Sequence, residues 1–307
     1  MSRSPARRRD PVYLDHAATS PLRPRAIEAM LPFLTDVYGN PSGAHGVARA
    51  AKTALEEARE QIAADLGARP YEIVFTSGGT EADGLALKGA AHAARACDAG
   101  RDRVVVSAFE HKAVLSSADR LEREGFRVTR ARVDRSGAVD VDALADGLDE
   151  QVAVVSVMAA NNEVGTVQPL VDVARAVRER APRAVLHTDA VQAVPWLDVV
   201  ELTEPADLVT VSAHKLGGPK GTGALVVRRG TRLVAEADGG GQERGLRSGT
   251  VDVAGVAGFA AALRESAATR VSERARVAQL RDRLARGLLD RCPDARCNAG
   301  PADRIAG

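Results

Sequence analysis

Val211-Ser212-Ala213-His214-Lys215-Leu216-Gly217-Gly218-Pro219-Lys220-Gly221 is the stretch on which the reading of this chain turns. An apolar, β-branched run ends at a serine. A histidine and a lysine follow, ahead of a glycine-rich turn. A lysine held there can form a Schiff base with a carbonyl cofactor, and its neighbours can hold that cofactor's phosphate. Lysine is scarce: Lys52, Lys88, Lys112, Lys215 and Lys220 are the only ones among 42 basic residues. Arginine cannot shed its proton to attack a carbonyl, so a lysine at this spot carries chemical meaning.

Working outward, apolar β-branched runs alternate with amphipathic segments rich in Ala, Arg and Glu. The predicted strands are Glu72–Thr76, Arg103–Ser107, Phe126–Val133, Val152–Met158, Ala184–Thr188, Asp207–Ser212 and Gly223–Arg228. The predicted helices are Ala48–Leu66, Thr80–Ala94, Lys112–Glu124, Val141–Leu148 and Leu170–Glu179. This alternation points to an α/β fold with a mostly parallel central sheet flanked by helices. After the small apolar run Val253–Leu263, a charged helix is expected over Ser266–Asp290, and the change of pattern marks a candidate domain boundary.

The polar candidates share one property: each follows a predicted strand, at the carboxyl edge where open α/β sheets form their ligand crevice. They are Thr76–Thr80, Glu110-His111, Asn161-Asn162-Glu163, Asp189 with Gln192, and Ser212, His214 and Lys215. In Thr76–Glu81, two glycines let the backbone approach a ligand, and the helix start that follows favours an anion; Thr80 adds a hydroxyl. The same segment also reads as an ordinary turn with Thr80 as its cap. Asp189 at a buried strand end needs a cation, and a protonated pyridine nitrogen is one; a helix cap or a structural ion pair is the other reading. Gln192 lies on the same side of the turn, within reach of a ring hydroxyl. His187 is expected to point the other way and to be structural. His111 can stack on an aromatic cofactor or carry protons, or be a plain surface histidine. The run Gly239–Thr250, with two arginines and two hydroxyls, reads either as a phosphate loop or as a flexible surface loop. It lacks the strand–GxGxxG–helix setting of a dinucleotide site.

Composition sets the outer limits. The chain has 307 residues, 45% hydrophobic and 27% charged, enough for a large domain plus a smaller one. A formal net charge of +1 gives no general pull toward nucleic acid or membrane. Met1–Asp10 holds four arginines without an apolar stretch behind them, so it reads as a solvated tail, not a secretory signal. No run is long and apolar enough to span a bilayer. Cys97, Cys292 and Cys297 make no disulfide framework and have no ligand partners at metal spacing, which fits a reduced, cytoplasmic setting without a metal site.

On these residues, the chain resembles the cysteine desulfurases, pyridoxal 5'-phosphate enzymes of the class V aminotransferase group with the type I fold. The matching motifs are Tyr13–Thr19, Gly39-Asn40-Pro41-Ser42, Thr76–Ala82, Glu110-His111, Asn161–Gly165, Asp189–Gln192, Ser212–Lys215 and Arg247–Thr250, in family order. The resemblance implies that Lys215 bears the cofactor and moves the substrate's α-proton, and that His111 stacks on the ring. It further implies that Asp189 meets the pyridine nitrogen, and that Asn162 and Gln192 lie at the ring hydroxyl. Gly79, Thr80, Ser212 and His214 would bind the phosphate. Thr250 would reach the phosphate in a partner subunit, so a homodimer is implied. The implied reaction takes L-cysteine to L-alanine and a persulfide, destined for an iron–sulfur scaffold or for tRNA thiolation through a sulfur-acceptor protein.

Two departures stand out. Gly84 occupies a position where the family often has asparagine, which should cost a little helix stability. The family's persulfide-forming cysteine and its carboxylate-binding arginine lie beyond the Arg247–Thr250 motif, and no cysteine of this chain matches. The expectation is therefore an incomplete or truncated product with a tail and small-domain segment at 1–14, a large cofactor domain at 15–258, and an incomplete small domain at 259–307. Its loss of C-terminal partners should leave apolar surface of Val253–Leu263 and of the long helix uncovered. A pyridoxal lyase or aminotransferase-like enzyme without persulfide chemistry, and an inactive dimerising protein, are the other two readings.

Overall fold

The computed structural model describes residues 12–298 and 303–307. The basic start and most of the expected 1–14 segment lie outside the described residues. Seven strands form one sheet: β1 (Ile73–Thr76), β2 (Arg103–Ser107), β3 (Arg127–Ala131), β4 (Val152–Ser156), β5 (Val185–Asp189), β6 (Leu208–Ser212) and β7 (Gly223–Val227). Their order is β1-β7-β6-β5-β4-β2-β3. Only β7 runs against the others, pairing antiparallel with both β1 and β6. Six carboxyl ends therefore share one edge, as the strand–helix alternation predicts.

The helices are α1 (Pro24–Leu34), α2 (Gly46–Asp65), α3 (Gly79–Cys97), α4 (Lys112–Arg123), α5 (Val141–Asp146), α6 (Leu170–Arg180), α7 (Val199–Thr203) and α8 (Val253–Arg291). They cover both faces of the sheet. Strand alternation sends Val104, Val106 and Leu208 toward the core under α3 and α4. Val105, Leu186, Val209 and Val211 enter the opposite core, as a period of two requires. Double-sided burial explains why β4 and β6 read as unbroken apolar runs.

Two segments depart from the sequence-based expectation. The helix expected from Ser266 already begins at Val253: α8 is one helix of 39 residues, capped by Asp252, whose carboxylate accepts the Gly255 N–H at 2.9 Å. Val253–Leu263 is not uncovered. Phe259, Ala262 and Leu263 are fully buried, and α8 packs against α1 and α2. The exposed large apolar residues of α8 lie further along, at Val271, Leu280, Leu284, Leu288 and Leu289.

Gly84 sits inside α3, where a Cβ would find Lys88 Cε at 3.6 Å and Ser117 Oγ at 3.8 Å, ordinary contacts. Its only cost is helical entropy. Gly84→Ala should raise the unfolding free energy by about 0.5–1 kcal/mol in denaturant titration. A lower unfolding midpoint would show that the position needs an empty Cβ for another reason.

Candidate functional site

At the carboxyl edge, a cavity of about 290 Å³ is lined by Gly79, Thr80, Asp83, His111, Asn162, Asp189, Gln192, Ser212, His214 and Lys215, together with Ala18, Met158 and Val191. Nine of the ten site residues expected from the sequence meet there. Thr250 does not: it is exposed on the glycine-rich loop, outside the cavity lining.

Lys215 ends a single 3-10 turn that follows β6. Its Nζ donates to the carbonyls of Ala17 and, at 3.0 Å, Ala18. Burial pushes its amine below the ordinary lysine value, while Asp189 and Asp15 pull the other way. A lowered amine is closer to the neutral form that attacks a carbonyl. The chain segment Asp15–Arg23 straps the turn down. Ser20 N–H donates to His214 O at 3.0 Å, Arg23 N–H to Gly217 O at 2.8 Å, and Arg23 Nε to Leu216 O at 2.8 Å. Gln192 Nε2 joins the strap through Ala17 O at 2.7 Å. His214 Nδ1 lies 3.1 Å from Thr19 Oγ1.

The strand-to-helix turn is built for close approach. Gly78 adopts φ 144°, a region that favours glycine, and Gly223 of β7 lies against it: a Cβ at Gly223 would fall 2.7 Å from Gly78 Cα. The contact requires glycine at 223, and the backbone angle requires it at 78. The N-terminus of α3 opens onto the cavity beside Ser212, whose buried Oγ has no hydrogen-bond partner. Glu81 braces the turn from outside: it accepts the Ser77 N–H at 2.7 Å and pairs with Arg247 Nε at 2.9 Å. Burial opposes ionisation of Glu81, but these bonds outweigh it and hold the carboxyl below its usual range. Arg247 thereby ties the glycine-rich loop to α3.

That loop has a second anchor. Glu243, 9% exposed and at φ 45°, receives Arg59 at 2.7 and 2.9 Å and the Phe75 N–H at 2.8 Å. So the segment is fastened rather than loose. A larger cavity, about 590 Å³, lies beside this pair and is lined by Lys52, Tyr71 and Arg244 among others. Its wall lacks the group set gathered around Lys215, so we place the chemistry in the smaller cavity.

Asp189 is buried, with Oδ1 accepting the Val191 N–H at 2.8 Å. Burial raises its carboxyl above the ordinary value, opposed by that N–H, His111 and Lys215. His111 caps α4: its Nδ1 accepts the Ala113 N–H at 3.2 Å, which fixes the ring's orientation and leaves Nδ1 unprotonated. Glu110 turns inward, accepting the Met158 N–H at 2.7 Å through Oε1, while Oε2 has no partner; burial and then Asp189 push its carboxyl well above the usual range. Asn161 supports the next loop by accepting the Glu163 and Val164 N–H groups at 2.8 and 3.0 Å, leaving Asn162 at the cavity wall.

His187 corrects the sequence reading. A period of two puts residues 187 and 189 on the same face, and Leu186 enters the opposite core. His187 is fully buried under α3, with Nδ1 2.9 Å from Ser156 Oγ and Nε2 3.1 Å from Thr210 Oγ1. Its Nε2 lies 3.6 Å from Oδ1 of Asp83. Sequence reasoning gave Asp83 no role. The available signal was its place one turn into a helix that begins at the cavity.

The α/β sheet thus brings a lysine, an acid and a helix N-terminus to one edge. The class-V aminotransferase family model matches residues 12–307, and the chain belongs to that family. Its relatives narrow the class to the cysteine desulfurases. It is 45% identical to "Cysteine desulfurase IscS" of Anaeromyxobacter dehalogenans (strain 2CP-C), covering 97% of this chain and 73% of that one. It is 41% identical to the mouse "Cysteine desulfurase", covering 97% and 64%. A solved "NifS-like protein" superposes with a TM-score of 0.86 at 38% identity, over 90% of this chain and 74% of the other. "SspA in complex with cysteine" superposes with a TM-score of 0.77 at 38% identity, over 82% and 72%.

Burial pushes the His187 imidazole down to about 3, below its unfolded value. The unfolded chain then binds the extra proton between roughly pH 6.5 and that value, so this residue's contribution to stability is present above about pH 6.5 and is lost as pH falls. Between pH 6 and 4 the wild type should lose stability faster than His187→Gln, by up to about 1.4 kcal/mol per pH unit in denaturant titrations. Equal slopes would show that the folded protein already carries the proton.

Proposed function

We propose that this chain is a pyridoxal 5'-phosphate enzyme that takes sulfur from L-cysteine and leaves L-alanine. The observation that carries the reading is the convergence of Lys215, Asp189, His111 and the α3 N-terminus on one cavity. The residues fit the cofactor's chemistry. Ser212 Oγ is a buried hydroxyl without a partner beside a helix N-terminus, which suits a phosphate. Asp189 is a buried carboxylate without an ion-pair partner among the described residues, which suits a protonated ring nitrogen.

Pyridoxal 5'-phosphate, when bound, supplies an aldehyde for an amine and an electron-poor ring that stores charge from the substrate's α-carbon. The chain does the rest. Lys215 would hold the aldehyde and move the proton at the substrate's α-carbon; its lowered basicity suits both tasks. Asp189 would keep the ring nitrogen protonated. His111, with its orientation fixed by Ala113, would stack on the ring. Gly79, Thr80, Ser212 and His214 would hold the phosphate, and Asn162 and Gln192 would serve the ring hydroxyl. Thr250, exposed on its loop, would act across a homodimer interface in this reading. Cys97, Cys292 and Cys297 are exposed, and none lines the cavity. The sulfur acceptor in this reading is a thiolate from elsewhere: RSH and L-cysteine give RSSH and L-alanine. In the cell that persulfide would serve a scaffold or acceptor protein, in a cytoplasmic setting. Among the described residues no helix is long and apolar enough to cross a membrane.

The test is direct. Protein loaded with the cofactor should show a visible band, absent in Lys215→Ala, and borohydride should fix the label at residue 215. With L-cysteine and an excess of added thiol, alanine and persulfide should appear in equal amounts. Pyruvate in place of alanine would turn the reading to a lyase. A folded wild type without the band would end it.

A further inference from the structure

Asp83 takes no part in the chemistry assigned to Lys215 and Asp189, yet it is among the most buried charged groups of the molecule, 1% exposed. It lies in α3 on the side that faces β5 and β6. Its Oδ1 has no hydrogen-bond partner. Several groups confront it: Asp189 and His187 from β5, Thr210 from β6, and Glu110 and His111 from the connection between β2 and α4. Lys215 stands beyond Asp189. Oxygens of Asp83 and Asp189 and a ring nitrogen of His111 all lie within 4.8 Å of one another.

Charge decides how this cluster is built. Among the described residues, His187 is the one basic group within ion-pair range of Asp83, at 3.6 Å. That ring is already engaged by Ser156 and Thr210 and is buried neutral. Asp189 has claims on a negative charge: the Val191 N–H, Lys215 and His111. Asp83 has one, the Thr210 hydroxyl, set against burial and the facing acids Asp189 and Glu110. Two carboxylates this close in a dry site do not both ionise.

We propose that Asp83 is a positioning residue that keeps its proton, braced by the His187–Thr210 pair, so that it and Asp189 together present one negative charge to the cofactor's ring nitrogen. This rests on the cofactor reading above. Burial, then the proximity of Asp189, pushes the Asp83 carboxyl well above the ordinary range, in agreement with the geometry. One charge matches one pyridinium. A second would hold Lys215 in its charged form and repel the substrate carboxylate.

Two measurements test it. In cofactor-free protein at neutral pH, infrared spectra with ¹³C-labelled aspartate should contain a protonated-carboxyl C=O band that Asp83→Asn removes. A wild type without that band overturns the proposal, whatever the cofactor does. In protein reconstituted with pyridoxal 5'-phosphate, Asp83→Ala should weaken cofactor affinity by about tenfold and displace the pH midpoint of the visible band. Asp83→Asn, which keeps a neutral hydrogen-bonding group, should restore both. If Asp83→Asn lowers the midpoint by about one pH unit, Asp83 was ionised and the proposal fails. A folded Asp83→Ala identical to wild type also overturns it. Should Asp83→Ala not fold, the infrared band and Asp83→Asn decide. If wild type never takes up the cofactor, the functional reading falls, while the infrared result still judges Asp83.

Discussion

A carboxylate sunk at the end of β5 constrains the whole edge of this sheet. Asp189 is buried and takes one backbone N–H, so its charge has to be met by a cation on the cavity side. The surrounding parts can be understood as the apparatus for that meeting. β6 delivers Lys215 one turn past its last ladder residue. The segment Asp15–Arg23 holds the lysine turn by its carbonyls. β7, the one reversed strand, presses Gly223 against Gly78 and thereby sets the distance of the α3 N-terminus from the same cavity.

Much of this is legible in the chain alone. Parallel strands buried on both faces announce themselves as apolar runs; the largely exposed edge strand β3 and the reversed β7 can be read as well, and no strand end is off by more than two residues. Because such strands share a direction, residues following them have to gather, and nine of ten do. The relations between elements are harder to read. α1 begins at Pro24 and carries Pro32, which breaks the expected helical period. The continuity of α8 is hidden because its first third is buried and the rest is charged, a change of surroundings rather than of backbone. Which residues of α3 face β5 depends on packing, and so the place of Asp83 one turn into that helix is a faint signal in sequence. His187 misleads for a simpler reason: a strand's two-residue repeat puts it with Asp189.

The two imidazoles near the site illustrate how surroundings divide one chemistry into separate tasks. His187 lies in a dry core between two hydroxyls and stays neutral, useful as a rigid bracket. His111 sits at the cavity mouth, held through one nitrogen by the start of α4, with the other left for what arrives there. Neither assignment depends on the residue type; both follow from burial and from what the ring nitrogens already touch.

The length of α8 has a mechanical consequence. Thirty-nine helical residues make a rod of about 58 Å at 1.5 Å rise per residue. Near its buried third, Glu265 grips Arg23 at 2.9 Å, and Arg23 in turn holds the carbonyls of Leu216 and Gly217, next to the lysine. Further out, Arg281 donates to the Ile305 carbonyl at 2.7 Å, so the rod couples the Lys215 turn at one point to the segment around Ile305 at another.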